Sequence, residues 1–533
     1  MKIFILLFFI TVSLFAGDTN KNKKIIETKN VKNETVNSIS KDEHSTNLNG
    51  KELRISEEVL KYLSIEGYFR TKMDYQNNLD LNSFYLMNPN TPDENIVGSS
   101  KHLPTVGELK NGASSESTVS YNTRFRFSPN IIVGEYLRAV ATIDVFDNQQ
   151  YGDNENSLIF AKEVYFEGKT PFGLVSFGRI ATNWGLGINR NSGKGKFANN
   201  GDYIDQIQYE LKGIIGSMPN LSFKLAYEIK ESTPQSSSFY KSSQKPSYDI
   251  QDNDDYVGFS FYIEDKIEGD ELDNYLLNAS TRLNYGLYSG MYWKDKNIVI
   301  NKDITSNTSN YSYQDYKLDY YTLDAFFEFY FGNSFNLKSE IVYIFGNNEN
   351  NKSFNQWAAV IQSNFNFLMK TLTVGIDGGI ASGDTSNESN PYNTLGTQNE
   401  CKKDNFIFNR DYNIDLIFFK EIYSLSNLYY IRPHLTWSAT NDISLNFWSV
   451  TSIALNSEQT FGRDTYLGTE IDLSLEYLNR DGLNFGLRSG LYVPGSGMDW
   501  LGIDGKRGGA SAELKDSVAD LAYSIQVFLI MKF

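Results

Sequence analysis

The chain has 533 residues, 40% hydrophobic and 14% aromatic, with 35 Tyr and 36 Phe, and a mean hydropathy of −0.41. Beyond the N-terminal apolar run no window reaches the ~18–20 apolar residues of a spanning helix, and a net charge of −16 argues against nucleic acid and anionic lipid as partners. The single cysteine, Cys401, excludes an internal disulfide and any multi-cysteine metal site.

Met1 and Lys2 precede an apolar run over residues 3–15 that gives way to Ala16, Gly17 and Asp18. A short basic start, an apolar core too short to span a bilayer and small residues before a polar stretch predict a secretory signal peptide over residues 1–17. No cysteine flanks the expected cleavage point, so lipoprotein processing is not expected. Residues 18–50 are rich in Lys, Asn, Ser, Thr and Glu and cannot bury a core, which predicts a disordered lead-in. Leu53, Ile55, Val59, Leu60 and Leu63 are spaced for a short amphipathic helix over residues 51–63, which completes a lead-in of residues 18–63.

From Ser64 onward the pattern changes to period two, the signature of strands with two different faces. About 18 alternating segments follow, an even number of the kind that closes a membrane barrel. They are read at 64–75, 116–128, 132–147, 158–168, 173–183, 204–213, 221–230, 254–264, 276–293, 316–331, 335–346, 355–367, 371–382, 427–438, 442–455, 465–478, 483–493 and 518–533. The connections alternate in length. Short ones include Pro129, Asn130 and Ile131, then Gly332, Asn333 and Ser334, and residues 479–482; 265–275 is intermediate. Long ones lie between them at 76–115, 148–157, 184–203, 231–253, 294–315, 347–354, 383–426, 456–464 and 494–517.

Within the segments one face is apolar and the other polar. Leu372, Val374, Ile376 and Ile380 oppose Thr373, Gly375 and Asp377. Trp357, Ala359, Ile361, Phe365 and Phe367 oppose Gln362, Asn364 and Asn366. Leu467, Ile471, Leu473, Leu475 and Tyr477 oppose Gly468, Glu470, Asp472 and Glu476. The polar faces carry too many charges and amides to fill a dry interior, so the apolar faces are expected to meet lipid and the polar ones a water-filled lumen. Tyr68, Tyr121, Tyr209, Tyr285, Trp293, Tyr330, Tyr343, Trp437 and Tyr477 lie near segment ends, as interfacial girdle residues would.

The last segment alternates Leu521, Tyr523, Ile525, Val527, Leu529, Met531 and Phe533 with Ala522, Ser524, Gln526 and Lys532, and the sequence given stops on the aromatic Phe533. Such a strand resembles the closing strand of bacterial outer-membrane β-barrels, in which the terminal aromatic is the signal read by the assembly machinery. Residues 178–197 carry an Arg-bearing strand followed by Trp184, Gly185, Leu186 and Gly187, a pattern similar to that of porin-like outer-membrane proteins. The resemblance implies an all-β fold: a transmembrane antiparallel up-and-down barrel of residues 64–533, with short periplasmic turns and long extracellular loops. It implies the outer membrane of a diderm bacterium as location, reached by secretion. The implied partners are outer-membrane lipid with its lipopolysaccharide-type leaflet, the barrel-assembly machinery acting on Phe533, and small solutes. Monomer and trimer both stay open.

The function so implied is a porin-like channel for passive diffusion of small polar or charged solutes. Pore-lining candidates are Arg124, Arg126, Arg138, Asp144, Glu163, Glu167, Arg179, Arg190, Lys194, Arg282, Asp324, Glu328, Arg432, Glu470, Asp472 and Arg488. Arg124, Arg126 and Arg138 could face Asp144, Glu163 and Glu167 as basic and acidic ladders and set up a transverse field, or pair with them along the wall. Residues 184–203 or 76–115 are expected to form the constriction, with Arg190, Lys194 and Lys196 lining it if the former folds inward. Two other readings are a carrier of hydrophobic solutes and a surface adhesion barrel with a closed pore. The polar lead-in is unsuited to the internal hatch of the first. Catalysis is not expected: of the three histidines His44 lies in the disordered lead-in, and no serine or acid stands out beside His102 or His434 in sequence. Asp252, Asp254 and Asp255 lack the following ligand and glycine of a calcium loop, so no metal and no cofactor are assigned.

Overall fold

A computed structural model describes residues 62–79, 81, 117–134, 136–150, 159–213, 216–230, 256–277, 281–294, 301–302, 311–312, 318–348, 353–368, 370–383, 404–423, 425–457, 460, 462–479, 482–499 and 518–533. The expected signal peptide, the lead-in to residue 61 and Asp252, Asp254 and Asp255 lie outside them, as do most of loop 76–115 and residues 384–403.

Alternating large and polar side chains hold each segment extended, since only a strand turns the two sets to opposite sides. The first barrel strands are β1 (Leu63–Asn77), β2 (Ser117–Val133), β3 (Leu137–Gln150), β4 (Ile159–Thr170), β5 (Gly173–Ala181) and β6 (Tyr203–Lys212). Next come β7 (Leu221–Lys230), β8 (Tyr256–Asp265), a helix α1 (Gly269–Leu277) and β9 (Thr281–Lys294). A short ribbon, β10 (Asn301–Lys302) with β11 (Tyr311–Ser312), pairs only with itself. Then follow β12 (Leu318–Phe331), β13 (Phe335–Asn348), β14 (Ser353–Phe367) and β15 (Leu372–Ala381). The last are β16 (Leu428–Ser438), β17 (Ile443–Ala454), β18 (Tyr466–Leu478), β19 (Leu483–Pro494) and β20 (Ala522–Lys532).

Eighteen of these form one sheet in which each strand pairs antiparallel with its neighbours in the chain. The sheet closes because β1 pairs with β2 on one side and with β20 on the other. Phe533 completes the seam: its carbonyl accepts from Gly67 N–H at 3.0 Å, its own N–H donates back at 3.1 Å, and its ring stacks on Phe125 at 5.7 Å. Closure leaves no barrel edge unpaired, the condition for strands to lie in hydrocarbon.

The outside is apolar. Leu225, Phe261, Leu287, Phe327, Ile341 and Ile361 are all exposed, while Glu228, Ser260, Tyr288, Asp324 and Glu340 on the same strands are buried inside. Exposed apolar surface on this scale has no place in water, so this belt is the lipid-facing surface. Along β12 the outward residues run from Tyr321 to Phe331, a rise that projects to about 25 Å for a tilted strand, the height of such a belt.

Several expectations are corrected. The first short turn is not at residues 129–131: β2 runs on through Pro129, and Gly134, at φ +66°, supplies the left-handed residue the turn needs. Leu63, expected to end a helix, opens β1. The intermediate connection holds α1, so the strand expected from residue 276 starts at Thr281. Leu467 points inward and is fully buried; the β17–β18 register shifts beside Ser452, with Gly468 at φ +136°, and that slip reverses the face. Tyr68 and Tyr330 also face the interior, where they meet Arg124 and Glu328.

Candidate functional site

The candidate site is the lumen at mid-height, where two long loops turn inward. The first, residues 182–202, joins β5 to β6. The second belongs to the connection from β15 to β16, of which residues 404–423 and 425–427 are described. Each is held by a wall glutamate that gathers successive backbone N–H groups.

In the first loop Gly185 (φ +52°) and Gly187 (φ +84°) take left-handed conformations that turn successive N–H groups to one side. Glu340 of β13 fills that concavity, accepting the N–H of Leu186 and reaching those of Gly187 and Ile188. A Cβ at position 185 would stand 2.6 Å from Glu340 Oε2, so the glycine leaves room for the carboxylate. Trp184 closes the other side against Tyr262, Tyr288 and Phe326, with ring centroids 5.4, 5.9 and 5.0 Å away. The Trp-Gly-Leu-Gly stretch is thus a cradle for one wall carboxylate.

Arg190 fixes the same lobe. Its guanidinium donates to both carboxylate oxygens of Glu228 at 3.0 and 2.7 Å, to Tyr262 and Tyr288 hydroxyls at 2.6 Å each, and to Tyr292. A second lobe reaches the opposite wall. Arg70 and Arg124 donate to Ala198 O at 3.0 and 3.1 Å, Arg124 also to Asn199 O at 2.8 Å, and Lys196 pairs with Glu476 at 2.6 Å. The loop therefore bridges the lumen.

The second loop is held by Glu470 of β18, which accepts from Leu416 and Ile417 N–H at 2.9 and 2.8 Å and from Phe418 N–H at 2.7 Å. A single π-helical turn, Phe418–Ile422, follows. Asp415 accepts from Phe419 and Lys420 N–H at 2.9 and 3.2 Å. Burial, and then the nearby Glu470, push the Asp415 carboxyl well above the usual carboxylate range. The loops join where Asn409 N–H meets Ile188 O at 2.8 Å and Asp411 accepts from Asn199 N–H at 2.9 Å. Ile188, Phe406, Phe408, Leu416, Ile417, Phe418 and Leu425 pack with Val342, Val360, Val450 and Leu467 of the wall into one buried cluster. At this level the polar faces therefore meet packed loop side chains rather than a wholly open, water-filled lumen.

The wall charges pair mainly with neighbouring strands. Arg126 is bidentate on Asp144 at 2.7 and 2.8 Å, and Arg138 Nε meets Glu167 at 2.7 Å. Glu163 accepts from Thr142 at 2.8 Å and lies 3.5 Å from Lys194 of the first loop. Arg282 pairs with Asp265, Lys338 lies 3.7 Å from Glu328, and Arg432 meets Asp377 at 2.8 Å. Asp324 accepts from Asn189 at 3.2 Å. Of the two arrangements the sequence left open, lateral pairing is the one present at Arg126 and Arg138.

Arg179 does not line the lumen. In the register it stands opposite Val164 and Asp205, on the outward face with Phe177 and Ile207, and it pairs with Asp205 at 2.7 Å. Arg190 is fully engaged by the wall rather than presented to water. Sequence reading gave residues 383–426 as a long connection but did not place them in the lumen, although Ile414, Leu416, Ile417, Phe418 and Phe419 form an apolar run that an exposed loop would not carry. It also missed Asp377, whose Oδ1 lies 3.4 Å from His434 Nε2 on the next strand. Among the described residues no cluster of three or more metal-ligating side chains occurs.

No protein-family model and no curated protein matches the chain. Among solved structures it is similar to OccK8 (OprE) of Pseudomonas aeruginosa, with 11% identity over 88% of this chain and 98% of that one and a TM-score of 0.45. It is also similar to an anion-selective porin from Comamonas acidovorans (9% identity, 88% and 99% covered, TM-score 0.38). A third is the outer membrane channel DcaP of Acinetobacter baumannii (9% identity, 88% and 97% covered, TM-score 0.38). At these values the likenesses carry no residue role and no solute across. What the register itself establishes is a closed, 18-stranded antiparallel barrel of the outer-membrane type.

Proposed function

We propose that this protein is an outer-membrane channel through which small polar or charged solutes diffuse passively, with its passage narrowed at mid-height by the two tethered loops. The observation that carries this reading is the polar lining of an 18-stranded barrel on either side of the loop layer. Barrels of about 16–18 strands are wide enough for an aqueous path. A lumen built to stay dry would not hold Arg138, Glu167, Lys224 and Glu264 partly exposed on its wall. Secretion by the N-terminal peptide and recognition of Phe533 by the assembly machinery belong to the same reading. So does contact with the outer leaflet.

A carrier of hydrophobic solutes is less well supported, because a pocket in the lumen is lined by Arg432, His434, Asn446 and Arg488. The test is single-channel recording of the purified, detergent-folded chain in a planar bilayer. The channel reading expects ohmic steps that grow when either loop is released from its glutamate. Silence in the wild type and in both loop-released variants would overturn it.

A further inference from the structure

Arg488 is unlike the other arginines of the described lumen wall. Arg124 and Arg126 share Asp144, Arg138 meets Glu167, Arg282 meets Asp265 and Arg432 meets Asp377. Arg70 is taken up by the carbonyls of Lys196 and Ala198 and the side chain of Asn199. Arg488 has no carboxylate within ion-pair distance among the described residues. Nη1 makes one long bond, 3.4 Å to Gln526 Oε1, and Nε has no acceptor. The nearby acids are otherwise engaged. Glu476 pairs with Lys196 at 2.6 Å, and Asp472 sits with Glu470 over Gly490.

The guanidinium is held in place all the same. It lies 4.3 Å from the ring centroid of Phe197, in the first loop, and 5.6 Å from that of Trp448 on β17. Stacking of this kind fixes the plane of the group and leaves its edge for a bidentate acceptor. A cavity of about 340 Å³ lies on the short-turn side of the second loop; Arg488, Arg432, Trp448, His434 and residues 413–415 of that loop line it, together with Glu476, whose charge Lys196 balances. Trp448 Nε1 also has no acceptor. Two donors left unsatisfied at one cavity, one of them charged, are costly unless a ligand or water meets them.

We propose that this cavity is a solute subsite at the exit of the constriction, and that it takes the carboxylate of a small organic acid between Arg488 and Trp448 Nε1. The volume is at the low end for ligand pockets, which limits the solute to a small one. The proposal rests on the channel reading and names the solute class at one point of its path.

The test is calorimetric titration of the detergent-folded full chain with propionate, with propionamide and inorganic phosphate in separate titrations. Arg488→Gln and Trp448→Phe are carried in parallel, with heat-modifiable electrophoretic mobility as the check that each barrel is closed. The subsite predicts saturable propionate binding, about tenfold or more weaker in Arg488→Gln and weakened in Trp448→Phe, with propionamide inert. Equal affinity in wild type and Arg488→Gln, or no propionate binding, would refute it. Phosphate binding that depends on Arg488 while propionate is inert would replace the carboxylate assignment with an inorganic oxyanion. Bilayer recordings on the same samples and on both loop-released variants separate the two levels: ohmic steps without propionate binding overturn the subsite alone, and silence throughout overturns the channel.

Discussion

Replacing Arg190 by methionine keeps the side-chain bulk but removes the guanidinium that binds Glu228 and the hydroxyls of Tyr262, Tyr288 and Tyr292. The pair is shielded, with side-chain exposures of 4% for Arg190 and 0% for Glu228. In the variant Glu228 keeps the hydroxyls of Ser260, Tyr262 and Tyr292 as donors but loses the charge that balances its own. Removing one partner of a buried pair costs about 3–5 kcal/mol. The cost falls on the seated loop and not on barrel closure, because the strand ladders are untouched. At 1.4 kcal/mol per factor of ten, the released population of the first lobe should rise about 100-fold or more. Hydrogen exchange read by mass spectrometry over residues 184–190 measures this directly, since the Leu186 amide is held by Glu340 only while the lobe is seated. Faster exchange there, with unchanged exchange in β12 and β13, is the expected result. Protection equal to wild type would show that Arg190 does not hold the loop.

Glu470→Gln, which leaves a neutral acceptor for three N–H groups, should raise exchange at Leu416, Ile417 and Phe418 by about tenfold, checked by the same method. Gly185→Ala combines a left-handed φ of +52° with a Cβ 2.6 Å from Glu340 and should release the first lobe without affecting the second, read by exchange over 184–190 against 414–420. Seating of the second loop should weaken as pH rises. The seated Asp415 binds a proton that a released one gives up near pH ~3.9, so the contribution is full below that value and is lost as pH climbs through the raised seated-state value. A nitroxide at position 413 should therefore be less mobile at pH 4 than at pH 9, and equal mobility would count against it. If Phe533 acts as the proposed assembly signal, deleting it should lower the yield of folded barrel in cells more than in detergent refolding, scored by heat-modifiable mobility, because the seam contacts with Gly67 and Phe125 are few.

The barrel was legible because its signal is local. Period two and the rhythm of connections place every one of the 18 strands, as in β12, where Tyr321, Leu323 and Phe327 face out and Asp324 and Phe326 in. Errors of face arose where one residue breaks the period. The irregularity at Ser452 and Gly468 turned Leu467 inward, and the phase of β5 put Arg179 outside. The site was legible only in part. The first loop announced itself through Trp184, Gly185 and Gly187, but the acceptor that explains them, Glu340, is more than 150 residues away in the chain. The second loop follows no period, because its shape is dictated by Glu470 and by the wall it packs on. The charge pairs needed the register: Arg432 and Asp377 meet because β15 and β16 are aligned so, which no spacing within either strand reveals.

The claim beneath the whole account is that the alternate faces of each strand see lipid and lumen. Replacing Cys401 and placing single cysteines at positions 322 to 327 of β12 allows an attached fluorophore to be read against lipids brominated in their acyl chains. Quenching at 323, 325 and 327, with none at 322, 324 and 326, is the predicted pattern. Uniform quenching, or none at any of the six, would contradict a membrane barrel.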